Sequence, residues 1–175
     1  IVLVRETAGG IVQDATLLQI AGAMDEIYAP ARDAVLGLNI TASTTGFKLW
    51  APTAQRVAVC VYSSGAGAML EQQNLIADNV TGVWSQTFTG DLSGRYYTYL
   101  VDVLVPGVGI VRNRVTDPYS ISLTTDSKRS YIANLNAENL KPTGWNTPPI
   151  AARAKVAAQT DMSIYELHVR DFSAN

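Results

Sequence analysis

Arg95-Tyr96-Tyr97-Thr98-Tyr99-Leu100-Val101-Asp102-Val103-Leu104 reads as one long strand. Aromatic and β-branched side chains dominate it, the types that suit a pleated, half-buried surface. Pro106-Gly107 closes it with residues fitted to a tight turn. The chain then returns through Val108–Thr116, where Val111, Asn113 and Val115 share one face and Arg112 and Arg114 the other.

The same grammar extends towards the N-terminus. Phe47-Lys48-Leu49-Trp50 precedes Ala51-Pro52, the apolar Arg56–Ser63 follows, and Trp84-Ser85-Gln86-Thr87-Phe88 alternates large apolar with polar residues. Short strands separated by turn signals, with few helical intervals, predict an antiparallel, immunoglobulin-like β-sandwich over 44–133. Residues 1–43 read as an extension with one helix. Asp14 is its expected cap, and Leu17, Leu18, Ala21, Met24 and Tyr28 recur at helical spacing up to Ala29-Pro30. Its apolar face is expected to pack on the core or to meet a partner. Residues 134–161, with Lys141-Pro142, Pro148-Pro149 and an alanine-rich run, read as a linker, partly extended and partly helical.

The last stretch, 162–175, returns to a strand pattern. Tyr165, Leu167 and Val169 alternate with Glu166, His168 and Arg170. A strand needs neighbours for its backbone hydrogen bonds, so its partners are expected in a further domain.

Composition narrows the function classes. A hydrophobic share of 47% with 16% charged residues describes a folded domain. The net charge of −2, without a Lys/Arg cluster along the sequence, argues against nucleic acid and against a basic membrane-binding face. No apolar run approaches the roughly 20 residues of a membrane-spanning helix. The single Cys60, inside Val57–Tyr62, reads as a small buried hydrophobe. Asn39-Ile40-Thr41 and Asn79-Val80-Thr81 are sequons that matter only in a eukaryotic secretory route.

No catalytic constellation emerges. The Ser63-Ser64-Gly65-Ala66-Gly67 loop after a strand superficially resembles a dinucleotide site, but the third-glycine position is Leu70 and no strand–helix series follows. Glu166 and His168 would share a strand face with Arg170, yet His168 is the only histidine and a catalytic metal site usually takes three protein ligands. Neither a metal nor a cofactor is expected. Aromatic rings are the remaining candidates, because sugar rings stack their C–H faces on them. Trp84, Tyr96, Tyr97, Tyr99 and Trp145 qualify by type, although alternating aromatics in a sandwich chiefly fill the core. Carbohydrate contact is assigned to the outward members of Tyr96, Tyr97 and Tyr99.

Taken in order, Phe47-Lys48-Leu49-Trp50-Ala51-Pro52-Thr53-Ala54, Arg95-Tyr96-Tyr97-Thr98-Tyr99 and Val115-Thr116-Asp117-Pro118-Tyr119-Ser120 resemble carbohydrate-binding module family 48. This sandwich precedes the catalytic barrel of debranching enzymes in glycoside hydrolase family 13. Tyr165-Glu166-Leu167-His168-Val169-Arg170-Asp171-Phe172-Ser173 looks like the first strand of that (β/α)8 barrel, and the pullulanase type is the nearest match. The resemblance implies a parent that hydrolyses α-1,6 linkages of pullulan, starch or glycogen with retention. Its catalytic carboxylates would lie on later strands, so no residue here is assigned a catalytic role. Its partner would be the barrel of the same protein. Glycogen-binding members carry tryptophans in stretches that correspond to Ser63–Ala68 and Val105–Gly109, and here both lack them. At most weak α-glucan binding is therefore expected. The alternative is a free-standing glucan-binding or regulatory module. A bacterial parent, secreted or at the cell surface, is the first expectation for compartment, and a cytoplasmic one the alternative.

Overall fold

Val57, Val59 and Val61 alternate along one strand and all lie wholly inside the protein. They belong to β5 (Ala54–Tyr62), which the computed structural model places at the centre of an antiparallel sheet. The structure describes residues 2–17, 20–145, 156–168 and 172. The chain divides into two compact units, residues 1–135 and 136–175.

The first unit opens with a two-stranded antiparallel hairpin, β1 (Val2–Glu6) and β2 (Val12–Leu17). Its turn is tied by the Thr7 hydroxyl accepting from the Ile11 N–H, and Gly10 supplies the positive φ of 77°. This corrects the helix expected to start from Asp14. Asp14 sits in β2 opposite Arg5, and the helix α1 spans only Ala21–Ile27, led by Ile20. Leu18 lies outside the described residues. The alternation of Val2 with Val4 and the Gly9-Gly10 turn give the backbone a hairpin solution that helical apolar spacing did not reveal. Met24 is the buried residue of α1.

Two larger sheets follow. One orders as β3 (Gly37–Ile40), β4 (Thr44–Trp50), β8 (Val83–Thr89) and β7 (Ile76–Asp78). The other orders as β10 (Gly109–Val115), β9 (Tyr96–Val105), β5 and β6 (Met69–Asn74), with the short β11 (Ser130–Tyr131) also on β9. Every pairing is antiparallel. The described residues are thus mainly β with the helix α1, as the strand grammar predicts. Strands β3, β6, β7 and β11 were not read from the sequence.

Side chains of both sheets meet in one core. Phe47 and Leu49 from β4 and Phe88 from β8 join Val57, Val59, Val61, Tyr97 and Tyr99 from β5 and β9. Phe47 holds the centre, edge-on to Phe88 at 5.3 Å and to Tyr97 at 5.1 Å between centroids. Such edge-to-face pairs add about 1 kcal/mol each beyond area burial. Two indoles fasten the rim: Trp50 donates to the Thr81 carbonyl and Trp84 to the Ala51 carbonyl.

The second unit contains short 3₁₀ turns at Glu138–Leu140 and Gln159–Asp161. Its Pro148-Pro149 and most of its alanine-rich run lie outside the described residues, as do Val169, Arg170, Asp171 and Ser173. The strand expected from Met162 is not seen: Met162–His168 joins no ladder among the described residues.

Gly82 separates turn chemistry from packing. It has φ +69°, and a Cβ there would fall 2.6 Å from the Pro52 Cβ. Gly107, at φ +77°, has open space around it. Gly107→Ala should cost about 1 kcal/mol from backbone strain alone. Gly82→Ala should cost about 3 kcal/mol, because overpacking adds to the strain. Urea denaturation of the two variants checks the difference, and equal losses would contradict it.

Candidate functional site

Register on β9 decides which tyrosines can meet a ligand. Tyr97 and Tyr99 are two residues apart and both face the core, where they are fully buried. Their hydroxyls donate to the same carboxylate oxygen, Asp117 Oδ2, at 2.8 and 3.4 Å. Asp117 Oδ1 accepts from the Tyr119 N–H at 2.8 Å, and the Asp117 N–H donates to the Ser130 hydroxyl. Ser130 in turn contacts the Ser120 hydroxyl. The Asp117-Pro118-Tyr119-Ser120 turn is therefore bolted to β9 and β11 by buried hydrogen bonds.

This network sets the local acid–base properties. Burial raises the Asp117 carboxyl above the usual carboxylate range, while the Tyr119 N–H and the two phenols pull the other way. Burial, reinforced by the Asp117 charge, holds both tyrosine hydroxyls protonated throughout the ordinary pH range. Tyr97 and Tyr99 thus offer no ring face to a sugar, and they hold the sandwich together instead.

Tyr96 points to the opposite, outer face of the sheet. It is half-buried and tilted against Tyr131, with centroids 5.0 Å apart. Beside it in register is Tyr62, whose hydroxyl pairs with Thr98 at 3.1 Å. The Arg129 guanidinium lies 3.7 Å above the Tyr62 ring and donates to the Ser64 and Gly67 carbonyls. One side chain thereby links the loop after β5 to the approach to β11. Gly65 lets that loop close in, since a Cβ there would sit 3.0 Å from the Thr124 methyl.

A cleft of about 490 Å³ opens alongside, lined by Gly65, Ala66, Thr98, Arg114, Lys128 and Arg129 among others. The loop at its edge contains Asp126 and Ser127 at φ 58° and 51°, a conformation uncommon for residues other than glycine. The loop is pinned at its base by the Thr124 N–H to the Arg129 carbonyl and by the Arg129 N–H to the Thr124 hydroxyl. Sequence reading missed Thr98, Arg114, Lys128, Arg129 and Tyr131 as neighbours. Arg114 was visible as an outward residue of β10, but 128–131 pack here only because β11 returns to β9.

Two clefts flank α1, a mainly apolar one of about 630 Å³ and a mixed one of about 370 Å³, and share Trp50 and Asp25. Trp84 is half-buried against the core, and Trp145 in the second unit is exposed. Glu166 and His168 are exposed, and Arg170 lies outside the described residues. Among the described residues, no group of three or more His, Cys, Asp or Glu could hold a metal ion. No helix among them is long and apolar enough to cross a membrane.

Residues 35–120 match the family described as carbohydrate-binding module 48 (isoamylase N-terminal domain). Pullulanase of Klebsiella pneumoniae is 38% identical over 177 residues, covering 99% of this chain and 16% of that protein. The chloroplastic pullulanase 1 of Arabidopsis thaliana is 36% identical, covering 97% of this chain and 17% of the relative. Apo pullulanase from K. pneumoniae superposes with a TM-score of 0.68 at 36% identity, over 82% of this chain and 16% of that one. The chain thus spans about a sixth of the length of the curated relatives it matches.

Asp117→Ala should cost about 3 kcal/mol, since two buried phenols lose their acceptor. Tyr97→Phe should cost only about 1 kcal/mol, because Asp117 keeps other donors. The Asp117 carboxyl is raised, so its contribution is full below the usual carboxylate range and is lost as pH rises through its folded value. Asp117→Asn removes that term, so its deficit against the parent sequence should narrow between pH 3 and pH 7. Chemical denaturation across that range checks the sign, and a widening deficit would refute it.

Proposed function

We propose that this chain, whose residues 35–120 belong to the carbohydrate-binding module 48 family, serves as a non-catalytic module of a pullulanase-like hydrolase, packed against and supporting the catalytic barrel. The observation that carries this reading is the span of the similarity. It runs along 99% of this chain but covers 16% of the K. pneumoniae pullulanase. In the proposed parent, α-1,6 linkages of pullulan, starch or glycogen are cleaved with retention by a pair of carboxylates outside this stretch. The stretch from Tyr165, which looks like a first barrel strand, would continue into that domain.

In this role the module needs rigidity more than a ligand grip. The buried aromatic core, the two indole bonds at its rim and the Asp117 network supply that rigidity. A second reading, a glucan-binding or regulatory module in its own right, draws on the half-exposed Tyr96–Tyr131 pair.

The purified chain should release no reducing ends from pullulan, and measurable turnover would overturn the non-catalytic assignment. Calorimetry with maltoheptaose separates the two readings: weak or undetectable heat fits the supporting role, and micromolar affinity selects the glucan-binding one. Mixed with the K. pneumoniae pullulanase made without its matching stretch, the chain should co-elute in size-exclusion chromatography. Independent elution would sink the packing proposal.

A further inference from the structure

We propose that the cleft on the outer face of the β5–β9–β10 sheet binds a phosphate monoester carried on a sugar. The sugar half of this inference rests on the reading of the chain as a glucan-enzyme module; the phosphate half rests on the cleft alone. Arg114, Lys128 and Arg129 converge there in a chain whose net charge is −2. Like charges gathered in one concavity repel one another, and a bound anion relieves that repulsion.

Their existing commitments leave donors free. Among the described residues, Arg114 forms no ion pair. Lys128 meets only the Asp126 carboxylate, at 3.4 Å with both side chains exposed, and such a pair contributes little. Arg129 uses one guanidinium nitrogen, Nη1, on the Ser64 and Gly67 carbonyls, which holds the group in place at the cleft wall. The outward neighbour on β10, Arg112, is different. It forms a double hydrogen bond with Asp102 at 2.6 and 2.7 Å and is satisfied.

Phosphate suits this arrangement better than a carboxylate. A monoester carries about −1.5 to −2 charge at pH 7 and three acceptor oxygens, which matches three cationic donors. The cleft, about 490 Å³, also has room for a hexose beyond the phosphate. Tyr96 stands next to it, 3.7 Å from the point where a Gly65 Cβ would lie. The rim loop is held in a costly conformation at Asp126 and Ser127, of the kind that structures retain around ligand clamps.

The test uses the full 15N-labelled chain at low ionic strength, titrated with glucose 6-phosphate, inorganic phosphate, maltose and ionic-strength-matched sodium chloride. Glucose 6-phosphate should move the amides of Gly65, Ala66, Thr98, Arg114 and Lys128 saturably, and bind at least about threefold more tightly than phosphate. Arg114→Gln and Lys128→Gln should each weaken it about tenfold while leaving the rest of the spectrum in place. Shifts that chloride reproduces, or an affinity unchanged in both variants, would overturn the phosphate site. Equal affinity for phosphate and glucose 6-phosphate would overturn the sugar half. Maltose acting as strongly as glucose 6-phosphate would show a neutral glucan site and refute the anion, while the module reading would stand.

Discussion

A single buried carboxylate ties this sandwich together. Asp117 lies beyond β10 in sequence, yet it accepts from two tyrosines in the first half of β9 and donates through its own N–H to Ser130 of β11. Three segments that the chain visits at different times are thereby fixed at one point. A buried charge is costly unless its lone pairs are occupied, and here at least three donors occupy them. The raised Asp117 carboxyl shows that hydrogen bonding does not fully offset the lost water. The gain is positional: the carboxylate adds two phenols of β9 to Ser130 as anchors of the Asp117–Ser120 turn.

What depends on that anchor is the outer face. Tyr62, Cys60 and Thr98 point away from the inter-sheet core and are nevertheless buried. The 124–131 segment returns to β9 at β11, over Tyr62 and beside Thr98, and the Asp117–Ser130 bond helps to hold it. Arg129 completes the cover by stacking on Tyr62 and gathering the loop after β5. Cys60 is accordingly a packing residue, its thiol raised chiefly by burial.

The sequence made the main hairpin legible because Tyr97, Tyr99, Val101 and Val103 alternate along β9, Arg112 and Arg114 share one face of β10, and Pro106-Gly107 marks the turn between them. The faces of Arg112 and Arg114 could be assigned in the same way, and the observed register places both on the outer side. The tyrosines were legible only by type. Alternation groups Tyr97 with Tyr99 and sets Tyr96 apart, but it does not say which group meets the second sheet. Phe47 and Phe88, strands away, decide that. The N-terminal hairpin was lost for a local reason: helical spacing from Leu17 onward outweighed a two-valine alternation. The outer cleft was illegible because its walls come from Gly65, Arg114 and Lys128, which no local pattern connects.

The distribution of aromatics and cations therefore gives two faces of one sheet different jobs. On the inner side, edge-to-face rings and an acceptor shared by two phenols make a rigid wedge with no exposed aromatic surface. On the outer side, aromatic area shrinks to the Tyr96–Tyr131 pair, and the neighbouring concavity is cationic. A platform that gripped neutral glucan by stacking would need broad, exposed rings, whereas in this sandwich Phe47, Phe88, Tyr97 and Tyr99 are committed to the core. Any recognition on this face must then rely more on charge than on ring area, which makes its affinity sensitive to salt in a way that stacking is not.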